Sequence, residues 1–161
     1  MCLKLAILCF TLLFWHPVMS FETPEVFAKP NQEAHCVATC NSFELQVGKK
    51  FYHIGSNLRA NWYEAVHICR QMGGHLVNFE SSMEIELLTG VVRSNEYWTS
   101  ANTLQADNTY LSWTTGKPMP FMNWAAGEPS GSGECVQLIQ GKLYNADCNT
   151  DKYYICQANI V

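Results

Sequence analysis

The chain is poor in cations. Ten Lys and Arg stand against fourteen Asp and Glu in 161 residues. Nucleic acid and anionic membrane surfaces both need a positive patch, and this composition excludes them as partners. No Asn-x-Ser/Thr triplet occurs, so no N-linked glycan is expected. There is no zinc-protease His-Glu-x-x-His helix and no Gly-x-Ser-x-Gly nucleophile elbow, the two signals that would open an enzymatic reading. Internal repeats and low-complexity segments are also absent. One long apolar run exists, Leu5 to Trp15, and it is shorter than the roughly 20 residues that span a bilayer.

That run has a different use. Lys4 precedes it, and Val18 and Ser20 are small residues ahead of a cut after Ser20. Residues 1–20 read as a cleaved signal peptide, and the protein as secreted and extracellular. Without Lys4 the formal charge is −5. Six cysteines remain, Cys36, Cys40, Cys69, Cys135, Cys148 and Cys156. An even number in a secreted chain reads as a disulfide framework whose pairing the sequence leaves open. Residues 21–42 form an arm with Pro24 and Pro30 and no periodicity. Within it, Cys36-x-x-x-Cys40 suits a local disulfide or a bridge to another chain better than a metal or redox pair. A bridge of that kind would be a route to oligomers.

Residues 43–161 carry the periodic patterns of one domain. Phe43 to Ile54 reads as one or two strands around a Gly48-Lys49-Lys50 turn. Asn61 with Glu64 resembles a capping box, and Trp62, Ala65, Val66, Cys69 and Met72 keep a helical period up to Gly73-Gly74. Ser81 with Glu84 opens a second helix whose buried stripe is Ile85, Leu88 and Val92. Tyr97 to Ser100 reads as a short strand. Residues 101–126 are rich in turns and aromatics, with Tyr110, Trp113, Phe121 and Trp124; a long loop of this kind is often functional. Val136 to Ile139 and Tyr153 to Cys156 read as closing strands.

The chemistry concentrates between Trp124 and Cys148. Glu128 and Glu134 flank a glycine-rich turn, and Asn145 and Asp147 follow a short apolar run. Carboxylate and amide oxygens on loops are the ligands that calcium prefers.

From about Phe43 to Cys156 the chain resembles a C-type lectin domain, most like the secreted single-domain members of arthropods. The resemblance is carried by Asn61-Trp62-Tyr63-Glu64-Ala65 through Cys69, Gly73-Gly74-His75-Leu76-Val77 and Tyr97-Trp98-Thr99-Ser100-Ala101. It continues through Trp113, Trp124, Gly127-Glu128-Pro129, Cys135-Val136-Gln137-Leu138 and Tyr154-Ile155-Cys156. It implies an α+β fold: two helices packed on two small antiparallel sheets, with a long aromatic-rich loop and disulfide staples. It also implies the pairs Cys69–Cys156 and Cys135–Cys148, which leaves Cys36 with Cys40. In the loop-entropy description, closing a loop near 100 residues is worth about 4.7 kcal/mol and one near 15 about 3. His67 and Cys69 lie close in sequence, as a Cys–His nucleophile would, but the resemblance commits Cys69 to a disulfide. The reading is a binding module and not an enzyme.

Sugar-binding members of the family hold calcium with a Glu-Pro-Asn or Gln-Pro-Asp triplet, a following Glu and an Asn-Asp pair. The same side chains bond the sugar hydroxyls. The family's proline is typically cis. Carried over, the metal set is Glu128, Ser130, Glu134, Asn145 and Asp147, and the sugar set Glu128, Ser130, Glu134 and Asn145. The implied cofactor is Ca2+ and the implied partner a glycan, mannose-type ahead of galactose-type. The sequence departs from the pattern three times. Ser130 stands where Asn or Asp is expected. Glu134 directly precedes Cys135. The Asn-Asp pair falls either on Tyr144-Asn145 or, with one residue missing, on Asn145-Ala146-Asp147. The competing reading is a C-type-lectin-like domain that has lost this site and binds protein.

Overall fold

A computed structural model describes residues 42–159 except 93 and 107. The expected signal peptide, the expected arm up to residue 41 and the expected Cys36/Cys40 pair lie outside the described residues. The elements run β1 (Leu45–Val47), β2 (Lys50–Ala60), α1 (Trp62–Gln71), β3 (Gly74–Leu76), α2 (Ser82–Val91), β4 (Tyr97–Asn102) and β5 (Leu111–Ser112). They close with β6 (Cys135–Ile139), β7 (Lys142–Ala146) and β8 (Lys152–Ala158).

Local chemistry explains most boundaries. Gly48, at φ +62°, takes the first central position of the β1–β2 hairpin, where a positive φ suits glycine. Asn61 caps α1: its Oδ1 accepts from Glu64 N at 3.0 Å, and Glu64 Oε2 accepts from Asn61 N at 3.3 Å. Two orphan donors of the first turn are thereby satisfied. Ser81 caps α2, accepting from Glu84 N at 3.3 Å.

The strand order is β1-β2-β8-β4-β6-β7, with β3 added to β8 and β5 to β4. Two antiparallel blocks, β1-β2-β8 and β4-β6-β7, meet at a short parallel pairing, Tyr97↔Tyr153 and Trp98↔Tyr154. β4 is buried along its whole length although half of it is polar. Thr99 Oγ1 donates to Val136 O at 2.9 Å and Asn102 Nδ2 to Ser100 O at 3.2 Å, so those groups are buried with partners.

Two cores flank this frame. Under α1, Trp62 and Trp98 are fully buried beside Ala65, Leu76 and the disulfide cysteines. Their indole N–H groups donate to Thr99 O at 2.8 Å and Ala60 O at 2.9 Å. Under α2 lie Tyr52, Phe79, Ile85, Leu88, Leu138, Leu143 and Ile155. The Cys69–Cys156 disulfide joins α1 to β8 across 87 positions, and Cys135–Cys148 joins the start of β6 to the chain just past β7. α2 also buries a carboxylate. Glu84 accepts from Lys50 Nζ at 3.0 Å, from Glu80 N at 2.8 Å and from the Tyr52 hydroxyl. Burial, and then Glu84, pushes the Tyr52 phenol far above its usual range.

Candidate functional site

The site is built on the β6–β7 hairpin. Ile139↔Lys142 closes it through Gln140 and Gly141, at φ +47° and +79°, the conformation that a two-residue turn of this hand demands. The register sets Asn145 opposite Val136 near the end of β7. Residues 123–125 run beside β7: Leu143 N donates to Asn123 O at 2.9 Å and Ala125 N to Leu143 O at 3.0 Å. This delivers the chain to Glu128, whose N–H donates to Ala125 O at 3.1 Å. The Glu128–Pro129 peptide bond is cis. Gly133 then passes over the end of β7 so closely that a Cβ there would lie 2.0 Å from the Ala146 carbonyl carbon.

Three of the expected residues form one hydrogen-bonded cluster. Glu128 Oε2 accepts from Ser130 N and from Asn145 N, both at 3.1 Å. Asn145 Oδ1 accepts from Ser130 N and Ser130 Oγ, both at 3.0 Å, and Asn145 Nδ2 donates to Gly133 O at 2.8 Å. Asn145 is 3 % exposed. Ser132, which the sequence did not single out, donates from Oγ to Asn145 O at 3.0 Å.

Glu134 lies beside this cluster. Its carbonyl accepts from Thr103 N at 2.8 Å, and it lines a cleft of about 380 Å³ with Thr103, Asn108, Tyr110, Gly131, Gly133 and Asn145. Tyr110 meets Trp124 edge-on, centroids 4.7 Å apart. Its hydroxyl pKa is raised by burial and, after that, by the charge of Glu128. Asp147 goes elsewhere. Its Oδ1 accepts from Asn149 N at 2.9 Å and Asn149 Nδ2 at 3.0 Å on the exposed surface, and these two bonds hold its carboxyl below the usual range. The Asn145–Ala146–Asp147 stretch therefore brings its first residue to the cluster and turns its last one onto the following loop. Thr103 and Asn108 lie in the aromatic-rich segment, whose length was the only sequence signal that could have pointed to them.

Calcium takes six to eight oxygens, several of them charged. In the cluster two side-chain oxygens already face donors. Glu128 Oε2 has two amides, Asn145 Oδ1 an amide and a hydroxyl. Among the described residues, no three His, Cys, Asp or Glu side chains gather as a metal site. With Glu128 Oε2 and Asn145 Oδ1 so engaged, the cluster fits a resident calcium ion poorly.

The Lectin C-type domain family matches residues 58–158. The chain is 40 % identical over 127 residues to C-type lectin 37Db of Drosophila melanogaster, a match spanning 74 % of this chain and 84 % of that one. It is 31 % identical over 116 residues to the accessory gland protein Acp29AB of Drosophila simulans, covering 71 % of this chain but only half of that relative. Among solved structures, the cow C-type carbohydrate-recognition domain of CD23, determined in the presence of a GlcNAc2Man3 oligosaccharide, superposes with a TM-score of 0.68 at 24 % identity. That match covers 75 % of this chain and 95 % of the domain. A calcium-independent type II antifreeze protein superposes with a TM-score of 0.65 at 21 % identity, covering 74 % and 93 %. At these identities the superpositions speak for the fold, and the family match and the fly lectin for descent: the chain belongs to the C-type lectin domain family.

Proposed function

We propose that this chain is an extracellular glycan-binding domain that holds its sugar in the cleft between the Gly127–Glu134 loop and the Thr103–Tyr110 segment. The observation that carries the reading is the juxtaposition of the Glu128–Ser130–Asn145 cluster with an open cleft that also contains Glu134 and Tyr110. A sugar presents hydroxyls on its edges and C–H groups on its faces. Glu134 offers a carboxylate acceptor, Asn108 an amide that both donates and accepts, Thr103 a hydroxyl, and Tyr110 a ring fixed against Trp124 for an apolar face. The cleft volume lies within the range of small-ligand sites.

The CD23 domain was determined in the presence of an oligosaccharide containing mannose, which favours mannose-type glycans for this chain. The antifreeze protein is a calcium-independent member of the fold, so sharing the architecture does not require the ion. Extracellular placement is supported by two disulfides and by the signal-like first twenty residues. No helix among the described residues is long and apolar enough to cross a membrane. The test is a glycan array followed by calorimetry with mannose-type and galactose-type sugars. Glu134→Gln, with Tm unchanged, and Tyr110→Ala, with Tm lowered by the lost Trp124 contact, should each weaken binding roughly fivefold, the effect of weakening one charge-assisted hydrogen bond or losing one ring contact. Undiminished binding in both variants, or no bound glycan at all, refutes the cleft as the sugar site.

A further inference from the structure

The loop that closes the cleft is fastened by hydroxyl groups, and a count of protons shows how. Ser130 Oγ has one proton and two acceptors in reach, Asn145 Oδ1 at 3.0 Å and Ser132 Oγ at 3.2 Å. Ser132 Oγ also has one proton, and its nearest acceptor is Asn145 O at 3.0 Å. The arrangement using every proton at its shortest distance sends Ser132 to the Asn145 carbonyl and Ser130 to the Asn145 side chain. Asn145 Nδ2 returns a bond to Gly133 O, Ser130 N adds a second to Asn145 Oδ1, and Asn145 N reaches Glu128 Oε2. Five hydrogen bonds thus join the loop to β7.

In a loop shaped around a cation, carboxylate and amide oxygens point at a common centre and repel one another when the ion leaves. Here Glu128 Oε2 and Asn145 Oδ1 each face two donors. The charge on Glu128 Oε2 is met by two amide dipoles, and hydrogen bonds to an ionised acceptor are the stronger kind. Removing a cation from such a loop would leave no buried acceptor without a donor. The Ser130 hydroxyl supplies what an Asp at position 130 could not, since a carboxylate has no proton to give to Asn145 Oδ1.

We infer that Ser130 and Ser132 are positioning residues that hold the Gly127–Glu134 loop on β7 by hydrogen bonds alone, so that the site keeps its shape and binds its glycan without a divalent cation. The binding half of this rests on the glycan reading above; the loop half stands by itself. The test is hydrogen exchange at the amides of Ser130 and Asn145, measured on the intact protein in EDTA and again with added calcium chloride. Exchange should be the same in both. Ser130→Ala and Ser132→Ala should each speed it roughly fivefold, the effect of one lost net hydrogen bond, and Ser132→Thr, which keeps the hydroxyl, should restore it. Amides that gain tenfold or more protection from calcium, or that ignore the alanine variants, overturn the inference. Calorimetry with the array-selected glycan in EDTA completes it. A glycan that binds only with calcium sinks the inference and spares the glycan reading. A chain that binds no glycan while its loop stays protected in EDTA sinks the glycan reading and leaves the hydroxyl lock standing.

Discussion

Replacing Glu84 by alanine should destabilise the domain by about 3 to 4 kcal/mol. Its side chain is 8 % exposed and that of Lys50 14 %. Removing one member of a buried, bonded ion pair costs about 3–5 kcal/mol, chiefly because the other charge stays behind. Lys50 keeps a second partner, Glu80 at 3.2 Å, whose side chain is 63 % exposed, and this places the cost at the low end. Most of the remainder comes from Tyr52, 0 % exposed, whose hydroxyl loses its acceptor; an orphaned buried donor costs about 1–3 kcal/mol. The assay is urea unfolding of the oxidised protein, comparing midpoints at constant slope. The double-variant arm separates the parts. In a Tyr52→Phe background no hydroxyl is orphaned, so Glu84→Ala should cost at least about 1 kcal/mol less. Exchanging all three for apolar residues of similar volume, Glu84→Leu with Tyr52→Phe and Lys50→Met, should come close to neutral. An unchanged penalty in the Tyr52→Phe background, or a Glu84→Ala penalty under about 1 kcal/mol, refutes the view that Tyr52 and Lys50 depend on this carboxylate.

Burial holds the His75 imidazole below its ordinary value of 6.5, so the unfolded chain takes up the proton first. The stability that His75 contributes is complete above pH 6.5 and is lost as pH falls from there toward the folded value. Melting curves between pH 7.5 and 5 should show a decline that His75→Gln flattens, and an equal decline in that variant assigns it to other groups. Gly133→Ala should abolish glycan binding while costing the fold only about 1–3 kcal/mol, as local overpacking does, because its Cβ would meet the Ala146 backbone. Calorimetry showing full affinity in Gly133→Ala would mean that the close approach of loop and strand is not required.

The sequence made α1 legible because its signals are local: the capping box lies within four residues and the buried stripe within ten. β7 was harder. Lys142 to Ala146 mixes a charge, an aromatic and an amide, and only pairing with β6 makes it a strand. Glu84 reads from sequence as a cap residue; its burial depends on partners 32 and 34 positions upstream. Within the cluster, Glu128 stood out in the sequence as a carboxylate before proline and Asn145 as an amide following a short apolar run. Asp147 was read as a companion ligand, yet an Asn two residues further on offers it two donors at once, and so local a bond competes well with a distant one. Ser132 gave no signal. A serine between two glycines has the composition of a plain turn, and its role comes from the carbonyl of Asn145 that the fold sets above it.

The strand order carries one more consequence. The described chain enters at residue 42 ahead of β1 and leaves at residue 159 behind β8, both strands being neighbours of β2. The cleft hangs on β7, at the opposite end of that order. A tether at residue 42 therefore grips the edge strand β1, remote in that order from the sugar, and one at residue 159 grips the interior strand β8. Copies grafted through residue 42 onto a bead, a chip or a common stalk would be held by the strand at the far end of the order from the cleft. Several weak grips on a repeating glycan could then act together, their combined hold set by the spacing of the copies and not by any new contact within one of them.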